Sequence, residues 1–128
     1  MHVHLLWEPA IELLPLCVAN GVTGVRDLHT KLSPDEVSAW RRRIDERTTV
    51  GPRIFASGPI VDGPQPWWSG SIAVTNVADA RATVRRLKSE GRDMVKVYER
   101  LPRDAYFALA EEAKKRKRHA EHHWLNEA

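Results

Sequence analysis

Two histidines spaced two apart are the first residues able to do chemistry. His2-Val3-His4 stands at the start of the sequence. In an extended strand, residues i and i+2 project from one face, so both imidazoles can converge on a single point. Two neutral imidazole nitrogens at one point suit a divalent metal, and Zn²⁺ takes them at about 2.0–2.1 Å. The plainer alternative is a pair of polar side chains at a frayed terminus. Lys96 is the second such residue, because it interrupts the apolar run Met94-Val-Lys-Val-Tyr98. An ammonium in a strand covered on both faces carries a desolvation cost, so such a lysine is usually paired, deprotonated or modified. It can also reach solvent or pair with Glu99. Tyr98 ends the same run, where its phenol can meet a ligand or pack at the strand end.

The elements that would position these residues alternate. Apolar runs at 3–6, 22–26, 53–57 and 94–98 read as strands, with Asp27 closing the second. Between and after them lie amphipathic stretches with helical spacing. The first, 11–20, tolerates Pro15 only in its first turn, and Gly21 follows as a left-handed residue after a helix end. The second opens on Ser33-Pro34-Asp35-Glu36, an N-cap serine with an acid three residues on, and buries Val37, Trp40 and Ile44. The third runs over 77–89 from an Asn76 cap to Gly91, and the fourth over 102–115. Residues 58–70, rich in Pro and Gly and carrying Trp67 and Trp68, read as a loop. A β-α-β-α-β-α-β-α order without hairpin signals predicts an α/β fold with parallel strands and right-handed crossovers.

Composition narrows the classes. With 42% hydrophobic and 29% charged residues, the chain is globular rather than disordered or collagen-like. No run approaches the 18–20 apolar residues or so of a membrane span. Glu8 and Pro9 interrupt any signal-peptide core, and Cys17, the single cysteine, sits in an apolar helix and excludes an intrachain disulfide framework. A cytoplasmic location is the expectation. Lys and Arg number 20 against 17 Asp and Glu, but five of the cations are consecutive, Lys114 to Arg118. Without that cluster the chain is mildly acidic, so no nucleic-acid footprint spreads over a face. The cluster reads as the solvated end of the fourth helix, where cations complement the dipole.

Taken in order, several segments resemble the amidohydrolase superfamily, in particular its imidazolonepropionase-like and Xaa-Pro dipeptidase-like members. Met1-His-Val-His-Leu5 is similar to the family's first strand. Leu14-Pro-Leu-Cys-Val-Ala-Asn-Gly-Val-Thr-Gly-Val-Arg-Asp27 resembles its first helix and second strand. Val50-Gly-Pro-Arg-Ile-Phe-Ala-Ser-Gly-Pro59 and Met94-Val-Lys-Val-Tyr98 resemble strands three and four. The likeness runs from residue 1 to about residue 116. It implies a partial TIM-type (β/α) barrel of about four βα units, since a full barrel takes about 200–250 residues. Residues 117–128 form a polar tail outside the likeness.

The resemblance implies that His2 and His4 are metal ligands. It implies that Lys96 is the strand-four lysine that is carboxylated and bridges a binuclear divalent pair, with zinc the expected ion. Tyr98 would meet the substrate. The reaction implied is hydrolysis of an amide-type bond in a small molecule or dipeptide, metal-bound hydroxide attacking a polarised carbonyl. The family also requires two later histidines and an aspartate, which this chain lacks. A truncated form, weakly active or inactive, is therefore expected. The alternative is a non-catalytic half-barrel that binds or assembles, for example as a homo-oligomer covering open strand edges. His119 and His123, four apart, can share a helix face but follow a charged run, and a solvated tail is the simpler reading. His29, just after Asp27, can approach the same face as His2 and His4, with no ligand role carried over to it.

Overall fold

The computed structural model describes residues 1–116. Its first sheet has three parallel strands in the order β1 (His2–Val3), β2 (Gly24–Asp27) and β3 (Arg53–Ala56). His2 pairs with Arg26, and Arg26 with Phe55. A 3₁₀ turn (Ala10–Leu13) leads into α1 (Leu14–Ala19), and α2 (Pro34–Asp45) joins β2 to β3. Then come β4 (Val61–Asp62), β5 (Ile72–Ala73), α3 (Val77–Ser89) and α4 (Arg103–Arg116). The strand pairs are parallel throughout, so the α/β expectation holds.

The local signals act as the sequence suggests. Ser33 accepts from the Glu36 N–H and Glu36 accepts from the Ser33 N–H, which completes a capping box with Pro34 in the first turn. Asn76 caps α3 through the Asp79 N–H. Gly21 and Gly91 take φ of +77° and +72° after helix ends, a conformation that favours glycine. Pro15 falls in the first turn of α1, as required. It has no N–H to give the carbonyl four residues back, which accounts for the 3₁₀ turn before it.

Three expectations need correction. β1 covers residues 2–3 rather than 3–6, because the Leu5 and Leu6 amides turn aside to the Asp27 carboxylate at 2.7 and 2.9 Å. Residues 58–70 are not all loop, since Val61–Asp62 pairs with Ile72–Ala73. The run 94–98 is not a full strand. It is tied by Asp93 N–H to the Ala56 carbonyl (3.0 Å), Val61 N–H to the Lys96 carbonyl (2.8 Å) and Tyr98 N–H to the Val61 carbonyl (2.9 Å), with one bridge between Val61 and Val97. Its partner is interrupted between β3 and β4, so only short stretches remain to pair with.

Two apolar clusters hold these elements. Val3, Leu14, Val25, Val37 and Ile54 pack with Cys17 beneath α1 and α2, and Trp40 and Ile44 lie against them. Val61, Val74, Val84, Leu87, Val95 and Leu109 pack between α3, α4 and the later strands. Each fully buried Leu or Val contributes about 1.5–3 kcal/mol. Asp93 links the halves, accepting from the Ala56 N–H at 2.7 Å and pairing with Arg41.

The first sheet is covered on one face only. Along β3 burial alternates exposed, buried, exposed, buried, and β1 and β2 follow the same phase. Val3, Val25, Ile54 and Ala56 face the helices, while His2, Arg26 and Phe55 share the other face. The expectation of strands covered on both faces is therefore corrected, and Phe55 remains 37% exposed. Gly63, just after β4, is closely packed: a Cβ there would lie 2.0 Å from the Arg100 carbonyl oxygen, which is backbone. Gly63→Ala is accordingly expected to destabilise by about 3 kcal/mol, the upper end of overpacking costs. A urea midpoint equal to wild type would show that this loop yields freely.

Candidate functional site

His2 and His4 stand on the open face at the carboxyl end of β1. The intervening Val3 points into the core, as strand alternation requires. Their Nε2 atoms are 3.2 Å apart and their rings meet edge-on, with centroids 4.8 Å apart. The backbone holding them is fixed on both sides. The Met1 amino group donates to the Gly24 carbonyl at 2.9 Å. Beyond His4, the chain is captured by Asp27 through the Leu5 and Leu6 amides. The Trp7 indole N–H donates to the His4 carbonyl at 3.0 Å.

A cavity of about 420 Å³ opens over these rings and is lined by His2, His4, Trp7, His29, Lys31, Trp68, Lys96 and Tyr98. The fold thus gathers all four residues singled out as ligands or substrate contacts around one space. Lys96 is half-buried rather than sealed in a core, and borders this cavity. It forms no ion pair with Glu99 among the described residues. Tyr98 and Lys96 also border a second cavity of about 830 Å³ with Tyr106, Phe107 and Arg103. Trp68 reaches the first cavity, while Trp67 lies under the Arg100 guanidinium, 4.5 Å from its ring centre.

Lys31 joins the site without a signal of its own in the sequence, and Asp62 acts behind it. Lys31 sits 5.6 Å from the Trp7 ring centre, a cation beside an aromatic wall. Asp62 is fully buried and accepts from the Gly63, Trp67 and Arg100 amides at 2.9, 2.9 and 3.0 Å. That fixes the loop bearing Trp68 and the exit of the Tyr98 segment. His29 lies 6.5 Å from His4 between ring centres. Among the described residues no group of three or more His, Cys, Asp or Glu is placed to hold a metal, so His29 does not complete a set with His2 and His4. His119, His122 and His123 fall outside the described residues. Lys115 pairs with Glu111 at 2.9 Å one turn back, in keeping with a solvated helix end. No helix among the described residues is long and apolar enough to cross a membrane.

No protein-family model matches the chain, and no curated protein does. Solved structures do. A Xaa-Pro dipeptidase with bound methionine in its active site superposes with a TM-score of 0.70 at 20% identity, over 91% of this chain and 40% of that one. An amidohydrolase gives 0.60 at 18% identity, over 84% and 33%. The ochratoxinase of A. niger gives 0.61 at 19%, over 83% and 33%. The chain has an amidohydrolase-like fold. It spans 33% to 40% of the length of these three structures. Within the amidohydrolase-like fold, the open sheet face and its cavity are where His2, His4 and Lys96 meet.

Burial, then the positive Lys31 and His4 nearby, holds the His29 imidazole below its ordinary value of 6.5, against a smaller opposing pull from Asp27. The native state therefore binds fewer protons than the unfolded chain between that lowered value and 6.5. The stability due to neutral His29 is full above pH 6.5 and is lost as pH falls from there to the native value. In metal-free protein, His29→Gln should lose less stability than wild type between about pH 7.5 and pH 5. Parallel pH profiles of the unfolding free energy would contradict this.

Proposed function

We propose that this chain provides the metal-binding part of an amidohydrolase-type enzyme that cleaves amide-type bonds in small molecules or dipeptides. The observation that carries the proposal is the convergence of His2, His4, Lys96 and Tyr98 on one cavity, with the two Nε2 atoms 3.2 Å apart. Two nitrogens bound at about 2.0–2.1 Å to one tetrahedral ion stand roughly 3.3–3.4 Å apart, so the pair already has the spacing of two zinc ligands. Zinc is the ion this donor set suits best.

Lys96 completes the ligand set in a modified form. An amine that adds CO₂ and releases a proton becomes a carbamate, whose one negative charge is shared over two oxygens that would hold the metal. When bound, the ions would polarise the scissile carbonyl and supply a nucleophile at neutral pH. The chain's own residues do the rest. His2 and His4 offer neutral imidazole nitrogen. The Tyr98 phenol can donate a hydrogen bond to a substrate oxygen, and Trp7 and Trp68 form an aromatic wall. The remaining strands of a closed (β/α) barrel would cover the open face. A small-molecule partner fits a cavity of this size, and nothing in the charge pattern favours nucleic acid.

The open face and its exposed Phe55 also favour a second reading, a non-catalytic half-barrel that assembles with further copies. Zinc titration in competition with a chromophoric chelator tests the ligands. His4→Ala should weaken binding by at least about tenfold, whereas unchanged affinity removes His4 from the site. Turnover of Xaa-Pro dipeptides or N-acylated amino acids that a chelator abolishes supports the hydrolase. Zinc binding without turnover, by a discrete oligomer, supports the assembly module.

A further inference from the structure

We infer that Asp27 is the positioning residue of the histidine pair: one buried carboxylate sets where His4 and His29 stand relative to each other. This rests on the reading of His2 and His4 as metal ligands. The carboxylate is fully buried and accepts from four donors. Oδ2 takes the Leu5 and Leu6 amides at 2.7 and 2.9 Å. Oδ1 takes the Thr30 hydroxyl at 2.8 Å and the His29 amide at 3.3 Å. An ionised carboxylate has about four lone-pair sites, so these donors saturate it.

The donors come from two separate segments. Leu5 and Leu6 follow His4 directly, and the His29 backbone is itself a donor. Oδ2 ends β1 by drawing its next two amides out of the ladder, which turns the chain immediately after His4. Oδ1 folds the chain after β2 back over the same end of the sheet, which brings the His29 ring to 6.5 Å from His4. Both histidines thus owe their placement to one buried side chain that is not part of the lining of the cavity over their rings.

Asp62 supplies the control. It is equally buried and also gathers loop amides, from Gly63, Trp67 and Arg100, but none next to a histidine. A merely structural role would make Asp27 and Asp62 interchangeable in their effect on the histidines. Positioning would not.

The test uses the full chain with Asp27→Asn, Asp27→Ala and Asp62→Asn, reading zinc affinity and the proton contact between the edge-on His4 and His29 rings by NMR in metal-free protein. Asp27→Ala is expected to weaken zinc binding by about tenfold or more and to lose the ring contact. Asp27→Asn, which keeps the shape and one acceptor oxygen, should weaken binding less. Asp62→Asn should retain the contact and lose less affinity than Asp27→Asn, even where it lowers stability as much. Equal losses in the Asp27 and Asp62 variants, or no loss in either Asp27 variant, would overturn the proposal. If Asp27→Ala does not fold, Asp27→Asn against Asp62→Asn decides by the same two readouts. If the wild-type chain binds no zinc, the metal reading fails, and the ring contact alone decides the positioning role.

Discussion

A β-strand sends successive side chains to opposite faces, and in this molecule only one of those faces is buried. Everything about the site follows from that constraint. Val3, Val25, Ile54 and Ala56 satisfy the helices, which obliges His2, Arg26 and Phe55 to face the other way. A parallel sheet is normally covered on both sides, and here the second face, which carries His2, Arg26 and Phe55, lies open. Lys96 lines the same cavity as His2 and His4. Its intermediate burial fits a group facing a cavity better than one trapped in a core.

The loops at the carboxyl ends of the strands are organised by buried charge rather than by apolar contacts. Asp27 and Asp62 each sit fully buried just where a strand ends, and each collects amides from chain segments that would otherwise be unpaired. A buried donor left without a partner costs about 1–3 kcal/mol, so either carboxylate, once removed, exposes several such costs together. The two hubs divide the cavity between them. One holds the backbone around His4 and His29, and the other holds the loop with Trp68 and the exit after Tyr98.

Much of this was legible in the residues. Ser33 with Glu36, and Asn76 with Asp79, announce their helices because capping is local chemistry between neighbours. The convergence of His2 and His4 is local too, since strand alternation suffices to place them side by side. β4 and β5 escaped because each is two residues long, inside or beside a stretch rich in Pro and Gly, and is held by pairing across nine residues of intervening loop. The turn after His4 escaped for a related reason: it depends on a carboxylate more than twenty positions away. Trp7 and Lys31 enter the site only because that turn carries them there. A side chain's chemistry can be read from its type, but its address depends on long-range backbone capture.

The central claim is that His2 and His4 form one metal-binding unit on the open face of the sheet. X-ray absorption at the zinc edge of the zinc-loaded full chain tests it most directly. Two imidazole nitrogens at about 2.0–2.1 Å are predicted, falling to one when His2 is replaced by Ala. A first shell without imidazole scattering, or one unchanged by that substitution, would contradict it.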